Sequence, residues 1–437
     1  MCNYLDRVEK FNQEYMGKTI WDCNYLGKWI NFDFQHVTFC CSRTNQHTMD
    51  NPPVCDIDEI KAGKLDRKLF LERLIEVYER NQKGVGPCNG CKHLKRQKCN
   101  GIPLTNLIEH ISYNNYRGCN SRCVYCFQEK TKLMEPYKAY ELVDKMYEEN
   151  MLASRCSLDF GGGEPTILPD FAKYLGVADK YGWNMTISTS GILFSEYILQ
   201  GLKQGVYSIH ISPDAGTEET YYKIKGQRAY KRVWKNIGEY CKFSDSVFVR
   251  YILSSMNSSK EEVDAFVNMC MKNHVKNVVI SAEHEAARGI NDRIYWSYGE
   301  DEYKANAYMV KECMKYGLAT HMYLAGMSEK NEKRVLKQFL DDGINELVDN
   351  GKLFIFGIGE RGKQLIKQLK TAGGTISGFI DNYVKAENNE YCGVPQVEYS
   401  DIDKERDMIL ISPVNYKEIE KILNDLGYQN IYKLYLD

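Results

Sequence analysis

The sequence predicts an α/β protein: a partial, TIM-like (β/α)6 barrel of parallel strands, preceded by a Cys-rich N-terminal domain and followed by a small doubly wound α/β domain. Three observations predict it. Strand-like and helix-like segments alternate six times in the middle of the chain, a pattern that builds parallel sheets through right-handed crossovers. Eleven of the 16 cysteines fall within the first 126 residues. A strand, a glycine-rich turn and a helix begin afresh near Gly351. At 437 residues the chain is too long for one ordinary core, and domains at 1–104, 105–325 and 350–437 are expected.

The barrel strands are expected at Asn106–Tyr113, Cys156–Phe160, Asn184–Thr189, Val206–Ile211, Ser246–Leu253 and Lys276–Ser281. Amphipathic helices are expected between them at Tyr137–Asn150, Leu168–Tyr181, Leu193–Gln204, Tyr230–Phe243 and Lys260–His274. Residues 1–104 look irregular apart from one helix, Leu65–Arg80, so bound metal is expected to help them fold. A helix at Glu329–Val348 leads into the last domain, with strands at Lys352–Gly357, Thr375–Asp381 and Asp407–Ser412 and helices at Arg361–Ala372 and Tyr416–Leu426.

Charge and hydropathy exclude several classes. With 57 basic and 59 acidic residues the net charge is −2, so no global field recruits nucleic acid or an anionic membrane. No apolar run of about 18 residues is present to span a membrane. The first residues lack a secretory pattern, and the chain reads as cytoplasmic. Clustered cysteines in a reducing compartment point to metal before disulfides. The scattered Cys156, Cys241, Cys270, Cys313 and Cys392 read as small core hydrophobes.

The decisive segment is Gly118-Cys119-Asn120-Ser121-Arg122-Cys123-Val124-Tyr125-Cys126-Phe127, after the first barrel strand. Three thiolates spaced C-x3-C-x2-C fit one tight loop and can hold three corners of a 4Fe–4S cluster, leaving one iron open to a ligand. A structural zinc loop is the competing reading. The second strand ends in Gly161-Gly162-Gly163-Glu164-Pro165, where consecutive glycines let backbone approach a ligand and Glu164 offers a carboxylate to an ammonium group.

Together these segments resemble the radical SAM (S-adenosylmethionine) superfamily, whose pattern is C-x3-C-x-aromatic-C with Tyr125 in the aromatic slot. The resemblance implies that Cys119, Cys123 and Cys126 ligate the catalytic cluster and that its open iron chelates S-adenosylmethionine. It implies further that one electron breaks the sulfonium bond, giving a 5′-deoxyadenosyl radical that takes a substrate hydrogen. The run from Gly162 to Pro165 is similar to the family's GGEP motif, which binds the methionine amino group. Ser188-Thr189-Ser190-Gly191 resembles the segment near the ribose, with Ser190 where Asn is frequent, making Ser188 and Ser190 candidates. Ser212-Pro213-Asp214 resembles a Ser-Leu-Asp segment, making Ser212 a candidate for the cofactor carboxylate. A reductant such as flavodoxin or ferredoxin is implied.

Thr217 reads as a helix N-cap. Arg250 either holds an anion or caps an outer face, and Glu283-His284-Glu285 reads as a solvated loop. Cys88, Cys91 and Cys99, with one of Cys40, Cys41 or Cys55, are expected to hold an auxiliary 4Fe–4S cluster, zinc being the alternative; Cys40 is the favoured fourth ligand. In the last domain Gly357, Gly359 and Gly362 form a G-x-G-x-x-G turn, and Asp381 stands where a ribose is held. That domain resembles small Rossmann-like modules of nucleotide-sugar and surface-polysaccharide proteins. The substrate expected from it is a sugar or nucleotide sugar undergoing oxidation, epimerisation or elimination. A peptide-modifying maturase and a non-catalytic Fe–S or zinc scaffold are the alternatives.

Overall fold

A computed structural model describes residues 4–40, 52–91, 93–126, 132–283, 299–324, 327–344, 347, 351–383 and 389–436. The chain divides into two compact units, the first formed by Met1–Arg122, Cys126–Ser190 and Ser195–Ile209, the second by Cys123–Tyr125, Gly191–Phe194 and His210–Asp437. The expected boundaries at 104, 325 and 350 do not coincide with this division.

In the first unit, Ile108–Asn114, Leu152–Phe160 and Asn184–Thr189 lie side by side in parallel. Their apolar face, Tyr113 and Phe160, packs on the helix Phe171–Tyr181, with ring centroids 4.9 Å and 4.8 Å from Tyr174. One helix has clear local signals at both ends: at Glu196–Gln204 the Ser195 hydroxyl accepts from the Ile198 amide, and Gly205 ends the helix at φ 74°.

Residues 1–104 are not the irregular domain expected from their pattern. Trp29–Asp33 pairs in parallel with Ile108–Asn114 and in antiparallel with His36–Thr38, which in turn pairs with Pro53–Asp56. The amino-terminal region thus extends the barrel sheet. Helices Tyr4–Tyr15 and Arg67–Gln82 are also present, the latter close to expectation. Short strands escape a periodicity reading because their partner lies far along the chain.

In the second unit, Val247–Leu253, Asn277–Ala282, Ala319–Tyr323, Asn430–Leu436, Met408–Ile411, Leu353–Phe356 and Gly378–Ile380 form one run of parallel strands. The last strand, Asn430–Leu436, pairs with Ala319–Tyr323 on one side and Met408–Ile411 on the other. This continuity replaces the isolated carboxyl-terminal sheet that the sequence predicts. Helix Glu300–Lys315 was not foreseen, whereas Tyr230–Cys241, Lys260–Lys272 and the helix Glu218–Lys225 behind the Thr217 cap were. Among the described residues no helix is long and apolar enough to cross a membrane.

Candidate functional site

The site begins where the strand Ile108–Asn114 runs into Gly118 and Cys119. Gly118 has φ 122°, open only to glycine, and a Cβ there would meet the Leu133 Cα at 2.8 Å. At Gly163 an added Cβ would lie 2.0 Å from the Gly118 carbonyl oxygen, while the Glu164 amide donates to that same oxygen at 3.0 Å. The Gly-Gly-Glu turn is therefore fastened, backbone to backbone, onto the residue preceding Cys119. The Cys119 Sγ accepts from the Ser121 amide at 3.3 Å, an arrangement that suits a thiolate ligand.

Glu164 is 1% exposed, yet its carboxylate is well supplied with donors. Oε1 accepts from the Thr166 amide (3.2 Å) and hydroxyl (2.5 Å) and from the Thr189 hydroxyl (2.6 Å), and Oε2 accepts from the Ser190 amide (2.5 Å). Oε1 is saturated and Oε2 retains capacity for a further donor. Glu164 thus also clamps the end of the strand Asn184–Thr189, a role the sequence did not reveal. The Ser190 hydroxyl donates to Asn120 Oδ1 at 3.0 Å, and Asn120 Nδ2 is buried without a partner among the described residues. Ser188 is half-buried, Gly162 has φ 92°, and Pro165 is buried at the start of a short 3-10 turn.

In the second unit Tyr125 donates from its hydroxyl to Asp214, and Lys225 donates to both. Asp214 is fully buried and Lys225 is 4% exposed. Burial opposes the Lys225 charge, but Asp214 and Cys123 beside it outweigh that, leaving the ammonium harder to deprotonate than usual. Burial, reinforced by the Asp214 charge, pushes the Tyr125 phenol well up. Ser212 is half-buried. Thr217 caps its helix as expected, accepting from the Thr220 amide at 3.2 Å, and its own hydroxyl donates to Glu262. Arg250 is joined to His210, with Nη2 3.1 Å from Nδ1, and its Nε has no partner among the described residues. Glu283 is 7% exposed rather than solvated, and residues 284–298, including His284 and Glu285, lie outside the described residues.

The first unit also carries a polar sheet face that sequence reasoning missed. His110 stands between the Ser157 hydroxyl (2.6 Å from Nδ1) and Asp159 (2.9 Å from Nε2), with the Trp29 ring centroid 3.8 Å away. Trp29 Nε1 donates to Ser112 and Asn114 Nδ2 to Asn31, each at 2.8 Å. A cavity of about 530 Å³ adjoins His110, lined among others by Tyr25, Trp29 and Ser157. The signal was available: polar residues recur every second position in strands whose other face is apolar.

The other cysteines are placed less simply. Among the described residues no three Cys, His, Asp or Glu side chains are gathered as a metal site. Cys119 and Cys126 are exposed and Cys123 half-buried on their shared loop, so proximity along the chain, not a closed cage, is what the structure provides. The set Cys40, Cys88, Cys91 and Cys99 is not assembled. Cys88 and Cys91 share one turn, closed by the Cys91 amide on the Cys88 carbonyl at 3.0 Å, with Gly90 at φ 80°. Their neighbour is Cys23, which follows the strand Thr19–Asp22. Asp22 pairs with Lys95 at one end of that ribbon, while Cys99 pairs with Lys18 at the other. Burial pushes the Cys88 thiol up to about 11 and Cys55 up to about 12. Cys40 is half-buried and Cys41 lies outside the described residues.

Among the carboxyl-terminal glycines, a Cβ on Gly362 would lie 1.8 Å from the Gly357 carbonyl oxygen, Gly357 has φ 91°, and Gly359 begins the helix Glu360–Thr371. Asp381 is engaged with its own loop. Its Oδ2 accepts from the Ile358 amide at 2.8 Å and its Oδ1 from the Tyr383 amide at 2.9 Å, so the carboxylate braces the loop itself.

Residues 113–267 match the family model of the radical SAM superfamily. Over this segment the chain is similar to that superfamily. Members are enzymes that use a 4Fe–4S cluster and S-adenosylmethionine. Residues 349–433 match a second family model, described as C2185-like, N-terminal. The radical SAM segment is similar to GTP 3′,8-cyclase of Clostridium botulinum, 25% identical over 35% of this chain and 50% of that protein. It is also similar to 7,8-dihydro-6-hydroxymethylpterin dimethyltransferase of Methanocaldococcus jannaschii, 24% identical over 48% of this chain and 41% of that protein. A third relative is the cysteine-type anaerobic sulfatase-maturating enzyme of Clostridium perfringens, 28% identical over 26% of this chain and 34% of that protein. The chain thus spans half or less of the length of these relatives. Among solved structures, Streptococcus suis SuiB bound to precursor peptide SuiA aligns over 85% of this chain and 76% of its own, with 15% identity and TM-score 0.42.

Proposed function

We propose that this protein reductively cleaves S-adenosylmethionine at a 4Fe–4S cluster held by Cys119, Cys123 and Cys126, and removes a hydrogen atom from its substrate. The observation that carries the reading is the backbone fastening of Glu164 and Gly163 to Gly118, which sets a carboxylate and an open glycine turn beside the first cysteine. The donors present fit the group: soft thiols on one loop, one already accepting an amide. When bound, the cluster and cofactor supply a one-electron cleavage and a carbon radical. The chain's own residues then bind and orient. The Gly162–Pro165 turn and the free capacity of Glu164 Oε2 are the candidates to receive the amino group, and Ser188 and Ser190 are the candidates for the ribose.

For substrate we favour a sugar or nucleotide sugar. The cavity beside His110, lined also by Ser157, Glu109 and Arg155, offers hydrogen-bonding groups to a polyhydroxylated molecule. Peptide modification is the second reading, favoured by the similarity to a sulfatase-maturating enzyme.

The test is anaerobic. The chain is reconstituted with iron and sulfide, and 5′-deoxyadenosine is quantified with dithionite, first alone and then with a panel of nucleotide sugars and short peptides. Cys123→Ala is expected to abolish 5′-deoxyadenosine. Cleavage retained by a folded Cys123→Ala variant defeats the assignment. Acceleration by peptides and not by nucleotide sugars moves the substrate to the second reading.

A further inference from the structure

We propose that the buried Lys225–Asp214 pair sets the reduction potential of the cluster on the Cys119, Cys123 and Cys126 loop, acting as positioned charges against Tyr125 of that loop. The inference rests on the cluster assignment above and deepens it by naming the residues that govern its electron step.

The geometry singles out this pair. Other ion pairs here are mostly exposed, as with Lys223–Glu219, and such pairs stabilise little. Lys225 and Asp214 are instead 6% and 0% exposed in their side chains. Two desolvated charges are costly to keep, and a chain gains little stability from them over apolar residues. Their surroundings fix them toward the cysteine loop. Asp214, at φ 54°, accepts at Oδ1 from the Ile252 amide at 2.7 Å and at Oδ2 from Lys225 and Tyr125. Asn257 Nδ2 donates to the Asp214 carbonyl at 2.8 Å. Lys225 Nζ sits 5.0 Å from the centre of the Tyr125 ring. The Val124 amide donates to the Ile224 carbonyl at 3.0 Å, tying the residue after Cys123 to the last turn of the helix Glu218–Lys225. A fixed cation is thereby locked to the segment Cys123–Tyr125.

Reduction adds one electron and one negative charge to a cluster. A nearby cation stabilises that added charge and raises the potential, while an unpaired anion lowers it. The pair's two members therefore act with opposite sign. Removing Lys225 leaves Asp214 anionic and makes reduction harder, whereas neutralising Asp214 leaves Lys225 cationic and makes it easier. A merely structural role moves both variants the same way, or not at all.

The experiment is a potentiometric titration of the reconstituted full chain followed by electron paramagnetic resonance, without S-adenosylmethionine, alongside iron analysis. Lys225→Met is expected to shift the reduced-to-oxidised ratio at the wild-type midpoint at least tenfold toward oxidised, about 59 mV for a one-electron couple. Asp214→Asn is expected to shift it toward reduced. Shifts of the same sign, or none, at an unchanged iron content overturn the proposal. If Lys225→Met does not fold, Asp214→Asn decides alone: a shift toward reduced supports the proposal, and anything else overturns it. A wild-type chain that binds fewer than about four irons, or whose bound irons take up no electron, overturns the cluster assignment itself, and the role of the pair with it.

Discussion

Gly163→Ala is the sharpest perturbation of the cofactor turn. The new Cβ would lie 2.0 Å from the Gly118 carbonyl oxygen, 3.0 Å from its carbon and 3.1 Å from Tyr116 Cε2. Ordinary contacts stand at about 3.5 Å, so the two backbone segments must part by more than about 1 Å. The obstructing atom is main chain and has no rotamer to yield. Parting breaks the Glu164 amide bond to Gly118, worth about 1 kcal/mol, and overpacking adds about 1–3 kcal/mol. Expressed even in part at the cofactor site, about 1.4 kcal/mol is tenfold in affinity. Titration calorimetry of the reconstituted chain with S-adenosylmethionine is expected to show at least tenfold weaker binding. Gly161→Ala is the control, because its Cβ would meet only Asn114 Oδ1, at 3.6 Å. Equal affinity in the two variants would refute the claim that close backbone approach builds this site.

Three further outcomes are expected. Thr189→Val removes a buried donor to Glu164 Oε1 and should weaken S-adenosylmethionine binding about tenfold, measured as above. Hydrogen bonds from Lys138 and Lys173 hold the Asp170 carboxyl down to about 2. Its contribution to stability is therefore present above the ordinary carboxylate range, near pH 4, and fades as pH falls toward 2, so Asp170→Asn should flatten the acid limb of a denaturation curve in that window. Alkylation of the metal-free chain at pH 8, mapped by mass spectrometry, should label exposed Cys119, Cys126 and Cys392 first. It should spare Cys156, whose thiol burial pushes up to about 12, and the fully buried Cys270, for as long as the fold persists.

Much of the fold was legible because its signals are local. Asn184–Thr189 alternates apolar and polar side chains and forms the strand expected of it, and Tyr230–Cys241 carries an apolar stripe at helical spacing. The cysteine triplet and Gly162–Glu164 were readable for the same reason, since three ligands and a glycine turn each sit within a few residues. Trp29–Asp33 and Asn430–Leu436 were not recognised as sheet-joining strands, because what makes them so is a partner distant along the chain, such as His110 for Trp29 and Thr320 for Leu434. The auxiliary cysteine set failed similarly. Spacing grouped Cys99 with Cys88 and Cys91, but the antiparallel ribbon carries Cys99 to its far end and leaves Cys23 at the near one.

By itself the sequence determined the chemistry on offer: thiols at C-x3-C-x2-C, an aromatic between the last two, and a glycine turn ending in a carboxylate. Those are matters of residue type and short spacing, which the chain carries with it before folding. Only the tertiary structure decided what surrounds them. It saturates one oxygen of Glu164 with Thr166 and Thr189, spends Asp381 on its own loop, and sets Lys225 and Asp214 against Tyr125 from a separate strand end and helix. The reason is physical: hydrogen bonds and desolvated charges depend on which atoms meet within about 3 Å, and that is fixed by packing between distant segments.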